Sequence, residues 1–138
     1  MDIFSRLNFK LIENFATTAN TTDVVSDIVD TKGLNGLCFL FITGAITGTG
    51  AFTPLIEYGD DSSLSDAAAV PDAELNGTEA LAGFTPATDN VLRKVGVRLG
   101  NKRYYRATVD MASNDGNVPL GIIAVTLPNL APTPNPPA

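Results

Sequence analysis

Histidine and tryptophan are absent from this sequence, and cysteine occurs once, at Cys38. Without histidine there is no Ser-His-Asp triad, no Cys-His pair and no imidazole ligand for a metal. A lone thiol can neither close an internal disulfide nor build a thiolate cage. Bases are scarce: nine Lys and Arg stand against fifteen Asp and Glu, a net charge of −6. That balance opposes the approach of a nucleic-acid backbone. Long apolar runs are missing too. The longest, residues 37–42, is six residues, whereas a membrane-spanning helix needs ~20. The amino terminus carries Asp2, Arg6, Lys10 and Glu13 with no apolar stretch of the signal-peptide kind. The chain is therefore expected to fold in a cytosol, with Cys38 reduced and buried as a small hydrophobe. At 138 residues it has room for one domain, and its composition favours binding over catalysis.

What is present is a series of short apolar runs separated by Gly, Asn, Asp, Pro and Ser. Phe9, Leu11 and Phe15 alternate with polar residues, a first strand. Residues 23–30 hold Val24, Val25, Ile28 and Val29; their β-branched content reads as an irregular strand. Residues 37–43 are apolar on both faces, as in a central strand covered on each side. Glycines at 44, 48 and 50 suggest a hairpin connection to a returning strand at 51–58, in which Pro54 implies an edge or a bulge. Residues 64–76 have room for at most a turn or two of helix, and Leu81 and Phe84 are expected as buried anchors in the stretch that follows. Val95, Val97 and Leu99 alternate up to Gly100-Asn101, which reads as a two-residue hairpin turn into a strand over 102–111. On that strand Tyr105, Ala107, Val109 and Met111 share one face. Residues 120–127 form a last strand, apolar on both faces.

Seven or eight short strands with turn signals between them predict an all-β fold, an antiparallel β-sandwich or jelly roll. The expected parts are an extended amino-terminal strand or arm (1–20), the β-sandwich domain (21–127) and a proline-rich carboxy-terminal arm (128–138). That last segment holds five of the nine prolines and no charged side chain. It favours extended polyproline II, either as a frayed end or as an arm laid on a neighbouring subunit.

Charge is uneven along the chain. Residues 1–90 hold thirteen acids and three bases, whereas residues 91–110 hold Arg93, Lys94, Arg98, Lys102, Arg103 and Arg106 against Asp110 alone. One reading is a solvated face paired with the acidic half. Another is a nucleic-acid strip with Tyr104 and Tyr105 as stacking partners, which the acidic remainder opposes. A third is contact with an acidic patch on a protein partner. Glu57, Asp60, Asp61 and Asp66 invite a calcium reading but lack the ligand alternation of an EF-hand loop. No motif implies a cofactor.

Several pieces together resemble a known family. They are residues 30–34 (DTKGL) before a hydrophobic strand, 43–46 (TGAI), a strand ending at 57–61 (EYGDD), 77–80 (GTEA), 95–97 (VGV), 100–104 (GNKRY) with Arg106, and 118–120 (VPL). The chain is similar, over about residues 24–128, to small head-associated structural proteins of tailed bacteriophages. The resemblance implies a non-enzymatic virion component: a decoration or cement protein on the outside of the capsid, made in the host cytoplasm. It also implies the major capsid protein and sibling copies as partners (a trimer), with no nucleic acid, membrane or cofactor. Lys102, Arg103, Tyr104 and Arg106 match the family's signature. With Arg93, Lys94, Arg98, Pro132 and Pro134 they are the candidate partner-binding residues. The alternatives are a neck or tail component of the virion, or a carbohydrate-binding module using Tyr58, Tyr104 and Tyr105.

Overall fold

Alternating and two-sided apolar segments build ten strands in the computed structural model, which describes residues 2–129. They are β1 (Asn8–Thr18), β2 (Val24–Val25), β3 (Val29–Asp30), β4 (Leu34–Thr43), β5 (Pro54–Gly59), β6 (Ala68–Ala69), β7 (Leu75–Asn76), β8 (Leu92–Val97), β9 (Tyr104–Val109) and β10 (Val118–Pro128). Two single 3-10 turns, Asp72–Glu74 and Pro86–Thr88, are the helical pieces among the described residues.

The strands form two antiparallel sheets. Sheet A has the order β1-β10-β4-β8-β7; sheet B has β2-β9-β5-β6, with β3 also on β9. The pairings nest as in one long hairpin: β1 with β10, β2 and β3 with β9, β4 with β8, β5 with β6. The cross-pairs β10·β4 and β9·β5 knit this ribbon into sheets.

One core lies between the sheets. Phe39, Phe41, Val95 and Ile122 from sheet A join Ile56, Tyr105, Ala107 and Val109 from sheet B, all fully buried. Phe52 and Phe84, bridged strand-like and with ring centroids 5.6 Å apart, extend this core. The irregular strand at 23–30 is two short pieces on β9 because Ser26 interrupts the ladder. Its N–H donates to the Ala107 carbonyl at 2.9 Å, and its hydroxyl accepts from the Ala107 N–H at 3.0 Å. A side-chain oxygen thus replaces a backbone carbonyl at that point.

Several expectations are corrected. Residues 44–50 are not a hairpin connection, because β4 lies in sheet A and β5 in sheet B. Likewise β8 and β9 do not pair across Gly100-Asn101; the chain crosses there between the sheets. The flanking groups bond elsewhere: the Arg98 N–H to the Glu74 carbonyl at 2.8 Å, and the Thr31 N–H to the Arg103 carbonyl at 2.9 Å. Alternation shows that a segment is a strand but not which sheet it joins. Pro54 stands at the first position of β5, where a missing N–H is tolerated. Phe84 is buried as expected, but Leu81 is 77% exposed. The amino-terminal strand is the paired edge of sheet A. β10 runs on to Pro128, and the Asn129 N–H bonds the Gly33 carbonyl at 3.0 Å. The proline-rich segment from 130 onward lies outside the described residues.

Candidate functional site

The bases of residues 91–110 do not form one strip. Lys102, Arg103, Tyr104 and Arg106 belong to β9 and the crossing before it, in sheet B, where each charge meets an acid from the first half of the chain. Lys102 Nζ lies 2.6 Å from Asp60 Oδ2. Arg103 clasps Asp30 with Nε and Nη2, both at 2.8 Å, while its guanidinium lies 5.0 Å from the centre of the Tyr104 ring. Arg106 Nε donates to Glu57 Oε2 at 2.7 Å, and the Thr108 hydroxyl donates to the same oxygen at 3.2 Å. The outer face of sheet B is thus internally neutralised, as the paired-face reading holds. Tyr105 is fully buried, its ring edge-on to Tyr58 at 5.8 Å. It can stack neither a base nor a sugar.

Arg93, Lys94 and Arg98 lie along β8 or just beyond it, in sheet A. Arg93 pairs with Phe41 on the core side, with its Nε buried and unbonded. Lys94 pairs with Leu40 on the outer side, and Arg98 Nε donates to Asn76 Oδ1 at 3.2 Å. Pro132 and Pro134 lie outside the described residues. The acidic turn is also spoken for. Asp66 accepts the N–H groups of Asp60 and Asp61, at 2.8 and 3.1 Å, and Asp61 accepts from Ser63. Among the described residues no group of three or more His, Cys, Asp or Glu is arranged to hold a metal ion.

The Arg103 guanidinium lowers the Asp30 pKa from the usual 3.8 to about 2. A depressed carboxylate stabilises the fold above its unfolded pKa and loses that contribution as pH falls towards the folded value. Since Asp30 and Arg103 are 45% and 46% exposed, solvent screening holds the gain to no more than ~1 kcal/mol. Urea titrations should show that Asp30→Asn costs little at pH 2 and its full amount by pH 5. An equal cost at both pH values would contradict the pair.

The outer face of sheet A is of opposite character. Register places Phe9, Val125, Cys38 and Gly96 in one row across four strands, and Leu11, Ile123, Leu40 and Lys94 in the next. Beyond these, Gly121, Ile42 and Leu92 share a row, and the Phe15 ring lies over Gly121. Phe9, Leu11, Phe15 and Leu92 are 47%, 52%, 55% and 60% exposed, and no acidic side chain stands in these rows. At one end, where Gly36 and Gly96 carry no side chain, the face sinks into a groove of about 650 Å³ lined also by Cys38, Val125, Leu127 and Leu7.

Sequence alternation had Phe9, Leu11 and Phe15 on one face of a strand without saying which way they point. Pairing of Phe9 with Val125 and Leu11 with Ile123 puts them on the outer face, and alternation then turns Ile12 into the core. The Cys38 thiol is half-buried and its pKa is raised by burial. No protein-family model, curated protein or solved structure matches this chain.

Proposed function

We propose that this protein is a virion structural component: a decoration or cement protein that binds the outside of a tailed-phage head and acts by surface contact. The observation that carries the reading is the uncovered apolar outer face of sheet A. An exposed apolar sheet face rimmed by polar groups marks an interaction surface. It sits opposite the salt-bridged, hydrophilic outer face of sheet B. The nested strand pairing supports a β-sandwich of jelly-roll type, an architecture that serves viral capsids and lectins alike. Burial of Tyr105 removes one of three aromatics that the lectin-like alternative needs. Many weak contacts held on one lattice act together through effective concentration, so no single contact has to be tight.

Purified protein mixed with expanded heads should saturate at a fixed ratio to the capsid subunit, measured by co-sedimentation. Absence of saturable binding would refute the assignment. A few copies per particle would instead place the protein at a neck or tail.

A further inference from the structure

We infer that the outer face of sheet A is covered by the same face of a second copy of this chain, in a two-fold pair. This rests on the proposal above: of the partners named there it gives this face to a sibling copy and leaves the head to the rest of the surface, with a pair in place of the trimer that the resemblance implies.

The face carries both halves of its own complement. One end is raised by Leu11, Leu40, Ile42, Leu92 and Phe15; the other is hollowed at Gly36 and Gly96 into the 650 Å³ groove. A two-fold axis running across the strands lays the raised end of each copy on the hollow end of the other. Both contacts then form at once, as an isologous interface requires. A three-fold ring would need ridge and groove on different sides of the molecule.

Area fits as well. Four strands ~4.8 Å apart, over rows spanning about six residues, give roughly 20 by 20 Å, on the order of 400 Å² in projection. Counted on both partners and enlarged by side-chain relief and a polar rim, that reaches the low end of specific interfaces, ~1,200 Å² in total. Apolar core and polar rim is also the usual anatomy of such a surface. Lys94 and Arg98 stand along β8, beside the short edge strand β7. There their stems can cover apolar surface while the charges reach water. Edge-to-edge strand addition at β1 is the poorer route, because its two register shifts break the ladder a new strand would need.

The test is the mass of the full chain by sedimentation equilibrium across a concentration series. Wild type should give a reversible dimer. Leu11→Glu, at an exposed position, should raise the dimer dissociation constant at least ~30-fold, the scale of an interface hot spot, with an unchanged circular dichroism spectrum. Gly36→Val fills the hollow from the other side. Its Cβ would meet only the Leu127 side chain, at 3.4 Å, so the strand tolerates it, and it should likewise give monomer. Cys38 lies on the groove floor, so its alkylation should slow as wild-type concentration rises and not in either variant.

A wild-type monomer at every concentration, a trimer, or a dimer indifferent to both substitutions would overturn the inference. A dimer that ignores purified heads would leave it standing and remove the decoration reading. A monomer that binds heads would do the reverse.

Discussion

Phe39→Ala is expected to lower stability by about 3–5 kcal/mol and the thermal midpoint by roughly 10–20 °C. Phe39 is fully buried at the centre of sheet A, opposite Val95 on one side and Ala124 on the other. Neither neighbour can fill the void: alanine is small, and valine is stiff at χ1. The residual cavity therefore adds to the lost transfer energy. Against a total of ~5–15 kcal/mol for a domain of ordinary stability, one ring is a large share. Urea unfolding of Phe39→Ala beside Leu81→Ala checks the assignment, since the exposed Leu81 should change stability by no more than ~0.5 kcal/mol. Equal losses at the two positions would mean the core has been misplaced.

Gly116→Ala is expected to cost about 3 kcal/mol or more, the upper end of overpacking. A Cβ at Gly116 would run into the carbonyl group of Thr47 and approach the Gly48 Cα to 2.8 Å. These are backbone atoms, which cannot rotate away. They belong to a clamp between the loops after β4 and before β10. There the Thr47 N–H donates to the Asn117 carbonyl and the Asn117 N–H to the Thr47 hydroxyl, both at 3.0 Å. Asp115 accepts from both the N–H and the hydroxyl of Thr49. Gly33 is the control: its φ is +77° but nothing lies within 4 Å of an added Cβ. Gly33→Ala should cost only the ~1–2 kcal/mol of a left-handed alanine. Equal thermal shifts for the two substitutions would show that crowding at Gly116 is not the cause.

The outer-face substitutions belong to a different class. Leu11→Glu should leave the monomer's own stability almost untouched, since a half-exposed side chain has little burial to lose. Its effect is read in association alone. Core and face variants therefore separate what folds this chain from what joins it to others.

Much of the fold was written in the residues themselves. Alternation set Tyr105, Ala107, Val109 and Met111 on one common face, and all four are fully buried. The two-sided apolar run at 37–43 implied a central strand covered on each side; β4 does stand inside sheet A, beside the last strand β10, but its outer side is left uncovered by the described residues. Excess acid in the first half and excess base near residue 100 offered mutual pairing as one reading, and Asp30, Glu57 and Asp60 supply it for Arg103, Arg106 and Lys102. These are local or compositional signals, and a period of two or a charge imbalance needs no knowledge of the chain's path.

Tertiary structure alone decided the rest. Gly100-Asn101 has the chemistry of a hairpin turn, yet it carries the chain from one sheet to the other. A turn sets local backbone direction, whereas strand partnership depends on which distant edges are free. Leu11 and Ile12 are adjacent and both apolar, and the register in which β1 pairs with β10 determines which of them faces the core. The candidate surface was hidden for the same reason. Its rows draw on β1, β10, β4 and β8, segments far apart in sequence, so the apolar face exists only once long-range pairing has aligned them.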